Sequence, residues 1–385
     1  MNCVSIEELC EILNGYAFKS DNYVEEGVRI IRIANVQKGY IEDTTPVFCQ
    51  YDNLELEKYM LMENDLLISL TGNVGRVALL TKEFLPAALN QRVACLRLKN
   101  KEVLKKYLFY CLSANGFEEK CIRSAKGVAQ KNMSTEWLKK YKIPLYSSNE
   151  QIQIVRSLDF ISRTINNRKK QLQKLNELIQ ARFVEMFGEP LDKNKANRFF
   201  LECIEFNPAK SEVREMKGKV VSFVPMECVG VDGSFRIKED GEIAKYYKGY
   251  TFFKNGDVLL AKITPCFENG KIAVAENCTN GMGFGTTEFH VLRPIKGLSN
   301  SYWIMYLLKN KNIHNLAKIN MTGSAGQKRI QAPFFEKLKI YLPPIEEQNQ
   351  FADFVNQVNK SKVEIQQALE KTQLLFDSLM QQYFG

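Results

Sequence analysis

Apolar residues recur every seven positions in two long stretches of the chain, and this spacing predicts two long helices. The stretches 150–187 and 347–385 contain no proline, and no glycine before the closing Gly385. Two interleaved heptad series along each stretch are typical of a coiled-coil seam, in which a polar insertion such as Arg168 helps to fix the register. A helix packed only on its own domain is the alternative, but it does not explain why the two stretches are nearly equal in length. The predicted helix–helix seam consists of Ile154, Leu158, Ile161, Ile165, Arg168, Leu172, Leu175, Ile179, Phe351, Val355, Val358, Ile365, Leu369 and Phe376.

The two helical stretches belong to an internal repeat. The string "QARFVEMFG" stands at the end of the first stretch and "DSLMQQYFG" at the end of the second. Their final glycines, Gly188 and Gly385, lie 197 positions apart. The same offset relates Lys131 to Lys328. Loops tolerate insertions, whereas helices that match a partner along their length do not. We therefore expect the two helices to pair antiparallel about a pseudo-twofold axis.

The segments that precede each helix mix short strands, helices and turns. Aliphatic runs such as "VRIIRIANV" (28–36) and "GDVLLAKIT" (256–264) predict strands, and helical stretches are predicted at 101–122 and 301–316. "GMGFG" (281–285) indicates a glycine-rich turn, because no helix N-terminus follows it to receive a phosphate. The pattern predicts an α+β fold with two similar mixed α/β domains separated by two long antiparallel coiled-coil helices. The predicted boundaries are a first domain at 1–149, a first helix at 150–187, a second domain at 188–346 with a linker at 188–198, and a second helix at 347–385.

Composition and missing motifs exclude several classes of protein. The ten cysteines form no C-x-x-C pair and only two histidines are present, so we expect no metal site. The string Asn207-Pro208-Ala209-Lys210 lacks the second proline and the aromatic residue of an adenine methyltransferase motif, and we expect no catalytic residues in this chain. The absence of any run of 18 apolar residues, together with acidic residues near the start, predicts a cytoplasmic protein. A net charge of +9 suits a polyanionic partner.

Polar residues in turn-rich segments are the candidate binding residues. Gln130-Lys131 in the first domain recurs as Gln327-Lys328 in the second at the repeat offset. Amides can pair with adenine edges, and lysine or arginine can contact guanine or phosphates. The predicted DNA-binding residues are Lys19, Ser69, Thr71, Asn73, Arg76, Gln91, Arg92, Lys126, Gln130, Lys131, Asn132, Lys262, Thr264, Lys271, Thr286, Thr287, Gln327, Lys328 and Arg329.

The strings "GYAFKS" (15–20), "IRIANVQKG" (31–39), "LPPIEEQ" (342–348) and "MFG" (186–188), taken with the repeat, resemble specificity subunits of type I restriction–modification systems over essentially the whole chain. The resemblance implies two target recognition domains, each reading one half of a bipartite site in double-stranded DNA. It implies that the helices are spacers that bind two methyltransferase (modification) subunits, in a complex with restriction/translocase subunits. S-adenosylmethionine, ATP and Mg would then belong to those partner subunits, and this chain would bind no cofactor. "IPLYSSNEQ" (143–151) departs from the family pattern, since it lacks the Pro-Pro of the second copy.

Two other interpretations remain open at this point. One is a self-contained DNA modification enzyme with its own recognition domains, against which the missing catalytic motif argues. The other is a coiled-coil adaptor without a nucleic-acid role, which salt-dependent binding to duplex DNA would distinguish from a DNA reader.

Overall fold

Helices and strands follow one another in a similar order in two units of the computed structural model. Unit 1 comprises Met1–Asn167 and Ala368–Gly385, and unit 2 comprises Arg168–Gln367. Each unit therefore contains the beginning of one long helix and the end of the other. The structure describes residues 2–50, 56–99, 102–125, 131–192, 194–324 and 326–385.

Unit 1 contains nine strands and four shorter helices within the described residues, together with part of each long helix. The strands are β1 (Asn2–Ser5), β2 (Cys10–Asn14), β3 (Val28–Ile31), β4 (Phe48–Cys49), β5 (Leu66–Ser69), β6 (Val77–Leu79), β7 (Ala87–Leu89), β8 (Val93–Leu98) and β9 (Lys142–Leu145). The shorter helices are α1 (Ile6–Leu9), α2 (Lys105–Ser113), α3 (Asn115–Ser124) and α4 (Thr135–Lys140). The first long helix, α5 (Ser148–Phe187), begins in this unit.

Unit 2 repeats this arrangement. Its described strands are β10 (Arg198–Phe199), β11 (Ile204–Phe206), β12 (Val220–Val224), β13 (Glu239–Glu242), β14 (Thr251–Lys254), β15 (Val258–Ala261), β16 (Ile272–Val274), β17 (Met282–Gly285), β18 (Phe289–Pro294) and β19 (Lys339–Ile340). Its shorter helices are α6 (Ile243–Tyr246), α7 (Ser301–Lys309), α8 (Lys311–Ile319) and α9 (Ala332–Lys337). The second long helix, α10 (Ile345–Phe384), begins here. Both long helices start two residues before the predicted positions 150 and 347.

The four-stranded antiparallel sheets of the two units share their strand order. A four-stranded antiparallel sheet runs β2-β8-β5-β6 in unit 1 and β11-β18-β15-β16 in unit 2. A second sheet contains a parallel pair in each unit, β3 with β7 and β12 with β17, beside antiparallel neighbours. In the first sheets Leu67 faces Cys95 and Leu259 faces Val291, all four buried. The predicted α+β fold with two similar mixed domains is confirmed.

One buried ion pair recurs in the four-stranded sheets. Asp65, just before β5, accepts hydrogen bonds from Arg97 Nε and Nη2 on β8 at 3.1 and 2.7 Å. Asp257, just before β15, accepts the same two bonds from Arg293 on β18 at 2.9 and 2.8 Å. Each carboxylate also accepts a backbone N–H three residues upstream, so that its charge is satisfied although it is buried. These pairs fasten the start of the central strand to its neighbour.

The long helices pack antiparallel within each unit. In unit 1 the start of α5 supplies Ile154 and Leu158 to the same core as Met380, near the end of α10. In unit 2 the end of α5 supplies Phe183 and Phe187, whose rings lie 5.4 and 5.6 Å from that of Phe351, near the start of α10. Since the start of one helix meets the end of the other in both units, the predicted antiparallel orientation is confirmed.

The heptad residues differ in burial along the helices. Ile154, Leu158, Ile161, Ile165, Ile179, Phe351, Val355 and Val358 are buried. Arg168, Leu172, Leu175, Ile365, Leu369 and Phe376 are half-buried. The fully buried positions are mostly those near the helix ends that face the sheet-bearing part of a unit.

A buried glutamine joins each long helix to its own unit. Gln151 accepts a hydrogen bond from the Leu104 N–H (3.0 Å) and donates to the carbonyls of Tyr146 and Glu102. Gln348, at the repeat offset, accepts from the Asn300 N–H (2.9 Å) and donates to the carbonyls of two residues, Leu298 and Pro343. Both side chains are fully buried, so these bonds fix where each helix leaves the domain.

Three sequence-based predictions need correction. "GMGFG" is not a turn, because Met282–Gly285 is the central strand β17. A Cβ on Gly283 would lie 2.4 Å from Cζ of Phe253, so the glycine makes room for a ring of the neighbouring strand. The helical stretch 301–316 holds two helices, since Asn310 ends α7 and its side chain accepts the Asn312 N–H (2.9 Å) to begin α8. The stretch 101–122 is likewise divided, at Ala114, which has extended backbone.

Replacing Gln348 with leucine should destabilise unit 2. The variant leaves the Asn300 N–H and two carbonyls buried without partners, and each such group costs about 1–3 kcal/mol. Three such groups cost about 3–9 kcal/mol, and at about 2–4 °C per kcal/mol for a unit of this size we expect the Tm to fall by at least about 6 °C in differential scanning calorimetry. Gln350→Leu, at an exposed position two residues along the same helix, is the control and should leave the Tm nearly unchanged. Equal Tm values for the two variants would contradict the role assigned to the Gln348 hydrogen bonds.

Candidate nucleic-acid interface

A tight turn after β5 forms the centre of the candidate site in unit 1. The Ser69 hydroxyl donates to the Asn73 carbonyl and accepts the Arg76 N–H (3.0 Å). Gly75 has a positive φ of 84°, and a Cβ there would lie 2.8 Å from Cβ of Cys121. Ser69 is fully buried, so its hydroxyl shapes the turn, while Asn73 is exposed.

Two other segments are bonded to this turn. The Gly72 N–H donates to the Lys131 carbonyl (3.0 Å), and the Met133 N–H donates to the Leu70 carbonyl (2.8 Å). The Thr71 hydroxyl donates to the side-chain oxygen of Asn132 (3.1 Å). From the other side, the Leu70 N–H donates to the Arg92 carbonyl (3.0 Å). Residues predicted from three separate strings therefore lie together at one end of the inner strands β5 and β8.

The remaining predicted residues of unit 1 extend this cluster or lie within the fold. The Gln91 N–H donates to the Tyr16 carbonyl (2.9 Å), which brings the segment containing Lys19 beside the β7–β8 loop. Gln91, Lys19 and Arg92 are exposed. Arg76 is half-buried and donates to the side chain of Gln37 (2.6 Å), so it holds a neighbouring loop. Lys126 and Gln130 lie outside the described residues.

Unit 2 builds an equivalent cluster after β15. The Thr264 N–H donates to the Lys328 carbonyl (3.0 Å), and the Ile330 N–H donates to the Lys262 carbonyl (2.9 Å). The Thr264 hydroxyl accepts the Lys328 N–H (3.1 Å) and donates to the Gly326 carbonyl (3.0 Å). The bridge Ile263–Arg329 thus matches the bridge Thr71–Asn132 of unit 1. We call residues 69–76, 91–92 and 131–132 loop cluster 1, and residues 262–264, 286–288 and 327–329 loop cluster 2.

An acidic residue that the sequence reasoning missed neutralises one cation of loop cluster 2. Glu288 accepts hydrogen bonds from Nε and Nη2 of Arg329 at 3.0 and 2.9 Å. These bonds lower the pKa of Glu288. Thr286 accepts the Glu288 N–H with its hydroxyl (3.2 Å), while Thr287 is exposed. The sequence did contain one indication of this ion pair, since Glu288 lies only two residues after the predicted contact residue Thr286.

Two residues of loop cluster 2 have side chains that are accessible to a partner. Gln327 and Lys328 are exposed and make no side-chain hydrogen bond or ion pair within the part of the chain that the structure describes. Lys271 differs, because its ammonium donates to the Met226 carbonyl (3.1 Å) away from the cluster. The binding potential of the cluster therefore lies mainly with Gln327 and Lys328.

A buried histidine supports loop cluster 2 from below. His290 lies close to the Ile330 carbonyl through Nε2 (3.0 Å), and Nδ1 faces the side-chain amide of Asn207 (3.3 Å). The Asn207 oxygen accepts the Val291 N–H, so its NH2 group points at Nδ1. Burial lowers the pKa of His290 to about 4, and protonation of Nδ1 would place two donors against each other.

The described residues hold no candidate metal site. They contain no group of three or more His, Cys, Asp or Glu side chains that could hold a metal ion. None of the ten cysteines, all of which lie within the described residues, forms a disulfide, and burial raises the pKa of Cys10, Cys111, Cys121 and Cys278 to about 12, so these four thiols are poor nucleophiles. Across the ranges described, no helix is both long and apolar enough to cross a membrane.

Comparison with known proteins agrees with this duplicated architecture. The model of the family "Type I restriction modification DNA specificity domain" matches residues 1–177 and 211–374, so the chain belongs to that family. This chain is 44% identical to the EcoAI specificity subunit of Escherichia coli over 148 aligned residues. That alignment covers 37% of this chain and 24% of the EcoAI subunit. This chain is also 44% identical over 151 residues to the EcoEI specificity subunit of the same organism, covering 38% of this chain and 25% of that protein. The chain thus matches about a quarter of the length of these relatives.

A solved structure shares the fold over the whole chain. The crystal structure of the type I restriction–modification system S subunit from M. genitalium has a TM-score of 0.56 and 17% sequence identity. The alignment covers 100% of this chain and 96% of that one. The fold is therefore that of an S subunit, with one mixed unit for each repeat.

Acidification should destabilise the chain through His290. The folded-state pKa of about 4 lies below the ordinary value of 6.5, so the unfolded chain binds this proton first as the pH falls. The stabilising contribution is complete above pH 6.5 and is lost progressively between pH 6.5 and 4. From pH 7 to pH 5 we expect a loss of about 2 kcal/mol from this group.

The measurement is urea unfolding of the full chain at both pH values. His290→Gln, which cannot take up the proton, should reduce the pH dependence by that amount. His314→Gln is the comparison variant. It removes the other histidine of the chain, a half-buried imidazole whose pKa is also lowered by burial. An unchanged pH dependence in His290→Gln would exclude His290 as the titrating group.

Proposed function

We propose that this chain is the DNA sequence-specificity subunit of a type I restriction–modification complex, and that each unit reads one half of a bipartite site. The observation that carries the proposal is the repeated backbone pairing that holds Lys131 beside Gly72 in loop cluster 1 and Lys328 beside Thr264 in loop cluster 2. Two equivalent loop clusters suit a target made of two half-sites. Membership of the specificity family supports the same assignment.

The chemistry of the loop clusters suits duplex DNA. Lys131, Arg92 and Lys328 are exposed cations that can approach phosphates or guanine edges, and the Gln327 amide can pair with adenine. Arg329 differs, because its bidentate pair with Glu288 already occupies the guanidinium. Lysines and amides, rather than this arginine, are therefore the proposed readers.

The paired helices are the proposed spacer and the docking site for two modification subunits. Leu178 on α5 and Leu375 on α10 are 48% and 52% exposed, and they occupy equivalent positions at the repeat offset of 197. Equivalent exposed leucines fit two copies of one partner. Restriction/translocase subunits would join the same complex, and S-adenosylmethionine, ATP and Mg would be bound by the partner subunits.

A self-contained modification enzyme is the first rival. Such an enzyme would transfer a methyl group from S-adenosylmethionine to DNA without other subunits. The test is incubation of the purified chain with labelled S-adenosylmethionine and duplexes that it selects from a random library. Transfer of label by the chain alone would replace the proposed non-catalytic role, and transfer only after a modification subunit is added supports it.

A coiled-coil adaptor without a nucleic-acid role is the second rival. For a DNA reader, the binding constant should fall steeply as salt rises from 50 to 200 mM, because lysines displace counterions from phosphates. Selection from random duplexes should also return a bipartite sequence. Failure to retain any duplex at 50 mM salt would favour the adaptor.

Each loop lysine should affect recognition of one half-site. Lys131→Ala and Lys328→Ala should each weaken binding by about 1–3 kcal/mol at their own half-site if the lysine contacts a base. The measurement is fluorescence anisotropy with duplexes altered in one half-site at a time. Lys140→Ala and Lys337→Ala are matched controls, because these exposed lysines occupy equivalent positions on α4 and α9. Variants at Lys131 and Lys328 that bind every duplex like the controls would contradict base readout by these loops.

A further inference from the structure

An aromatic pocket of about 440 Å³ opens in unit 1 beside loop cluster 1. Its volume lies within the range of small-molecule sites in proteins. Four rings line it, together with one carboxyl and two carboxamide side chains. The aromatic and polar residues of the lining are Tyr16, Phe18, Tyr23, Tyr59, Asp21, Asn22 and Gln50.

The rings form an open arrangement around Tyr16. The Tyr16 ring lies 5.0 Å from that of Phe18, edge to face, and 5.3 Å from that of Tyr59. Phe18 and Tyr23 pack on a small core beneath the pocket, whereas Tyr16 remains 42% exposed. Lys58 lies over the outer Tyr59 ring, 5.2 Å from its centre. A flat aromatic ligand could stack on the accessible surface of Tyr16.

The polar groups at this pocket are available to a ligand. Asn22 and Gln50 are exposed, and within the described residues their amides make no side-chain hydrogen bond. Each amide offers a donor pair and an acceptor, which is the pattern needed to bind the edge of a nucleobase. Asp21, the only acidic residue of the lining, accepts a hydrogen bond from Ser20 (3.3 Å).

The pocket is continuous with the proposed DNA-contacting surface. The Tyr16 carbonyl accepts the Gln91 N–H, and the next residue, Arg92, bonds through its carbonyl to the turn after β5. Lys19 stands exposed between Phe18 and Asp21 on the same segment. The mouth is thus flanked by cations that can hold a phosphate backbone while one base enters.

We propose that this pocket receives one nucleobase turned out of the duplex at the half-site read by unit 1. The inference rests on the proposed function and adds a mode of readout to it. Base–aromatic stacking would offset the loss of pairing and stacking in the duplex, and the free amides would read the edge of the base. In unit 2 the segment after β11 reads Asn207-Pro208-Ala209-Lys210 and has no aromatic residue, so the second half-site is an internal control.

The experiment uses the full chain and a duplex that it selects from a random library. Each position of the first half-site is placed in turn opposite an abasic site, which removes the cost of unpairing the remaining base. We expect one position at which this change tightens binding at least tenfold. In Tyr16→Leu the gain should fall below twofold, whereas Tyr16→Phe should retain it because the ring still stacks. Tyr40→Leu removes another exposed tyrosine of unit 1 outside the pocket lining and should keep the gain.

The outcomes separate this inference from the proposed function. A chain that selects a bipartite site but gains no affinity at any position, or a Tyr16→Leu variant that keeps the gain, overturns the pocket and leaves the proposed function standing. A chain that selects no duplex overturns both. Unchanged preference at the second half-site verifies that Tyr16→Leu is folded. Gln50→Ala, at an exposed side chain, should relax the base preference at the same position, and an unchanged preference there would also count against the pocket.

Discussion

The core of each unit is closed by both long helices, and the rest of the structure depends on this constraint. In unit 2 Phe351 packs against Phe183 and Phe187, which come from the opposite end of the other helix. In unit 1 Met380 completes a core that includes Leu158. Unit 1 therefore completes this core only when the end of α10 is in place. The same constraint accounts for the constant offset of 197 residues, because an insertion in one helix would shift its side chains out of register with the other.

Buried polar contacts then fix each sheet to its helix, and this frees the loops to vary. Gln151 and Gln348 bind backbone groups at the domain surface from which each helix departs. The pairs Asp65–Arg97 and Asp257–Arg293 fasten the strand whose far end carries the loop cluster. All of these groups are satisfied inside the fold, away from the exposed lysines and amides. A change of loop residues for a new target would leave them intact.

The long helices could be predicted from the sequence, because a heptad repeat is a local pattern that can be recognised without knowing which segment packs against it. Contacts between distant segments could not. Gly283 looked like part of a turn, but it serves a strand because the ring of Phe253 occupies the space above it. Ser69 and Arg76 were predicted to contact DNA. The Ser69 hydroxyl instead holds its own turn together, and the Arg76 guanidinium donates to Gln37. The contact between the rings of Tyr16 and Tyr59 could not be predicted, because the two residues are far apart in the sequence.

The two loop clusters present different side chains on a shared backbone arrangement. The backbone bridge is the same in both units, but Asn132 occupies the position where the second unit has Arg329. The Asn132 amide is bonded to Thr71, whereas the Arg329 guanidinium is paired with Glu288. The same backbone pairing thus presents an uncharged polar side chain in one unit and a neutralised ion pair in the other. Base readout depends on side chains and positioning depends on the backbone, so the two proposed half-sites can differ in sequence without a change in the fold of either unit.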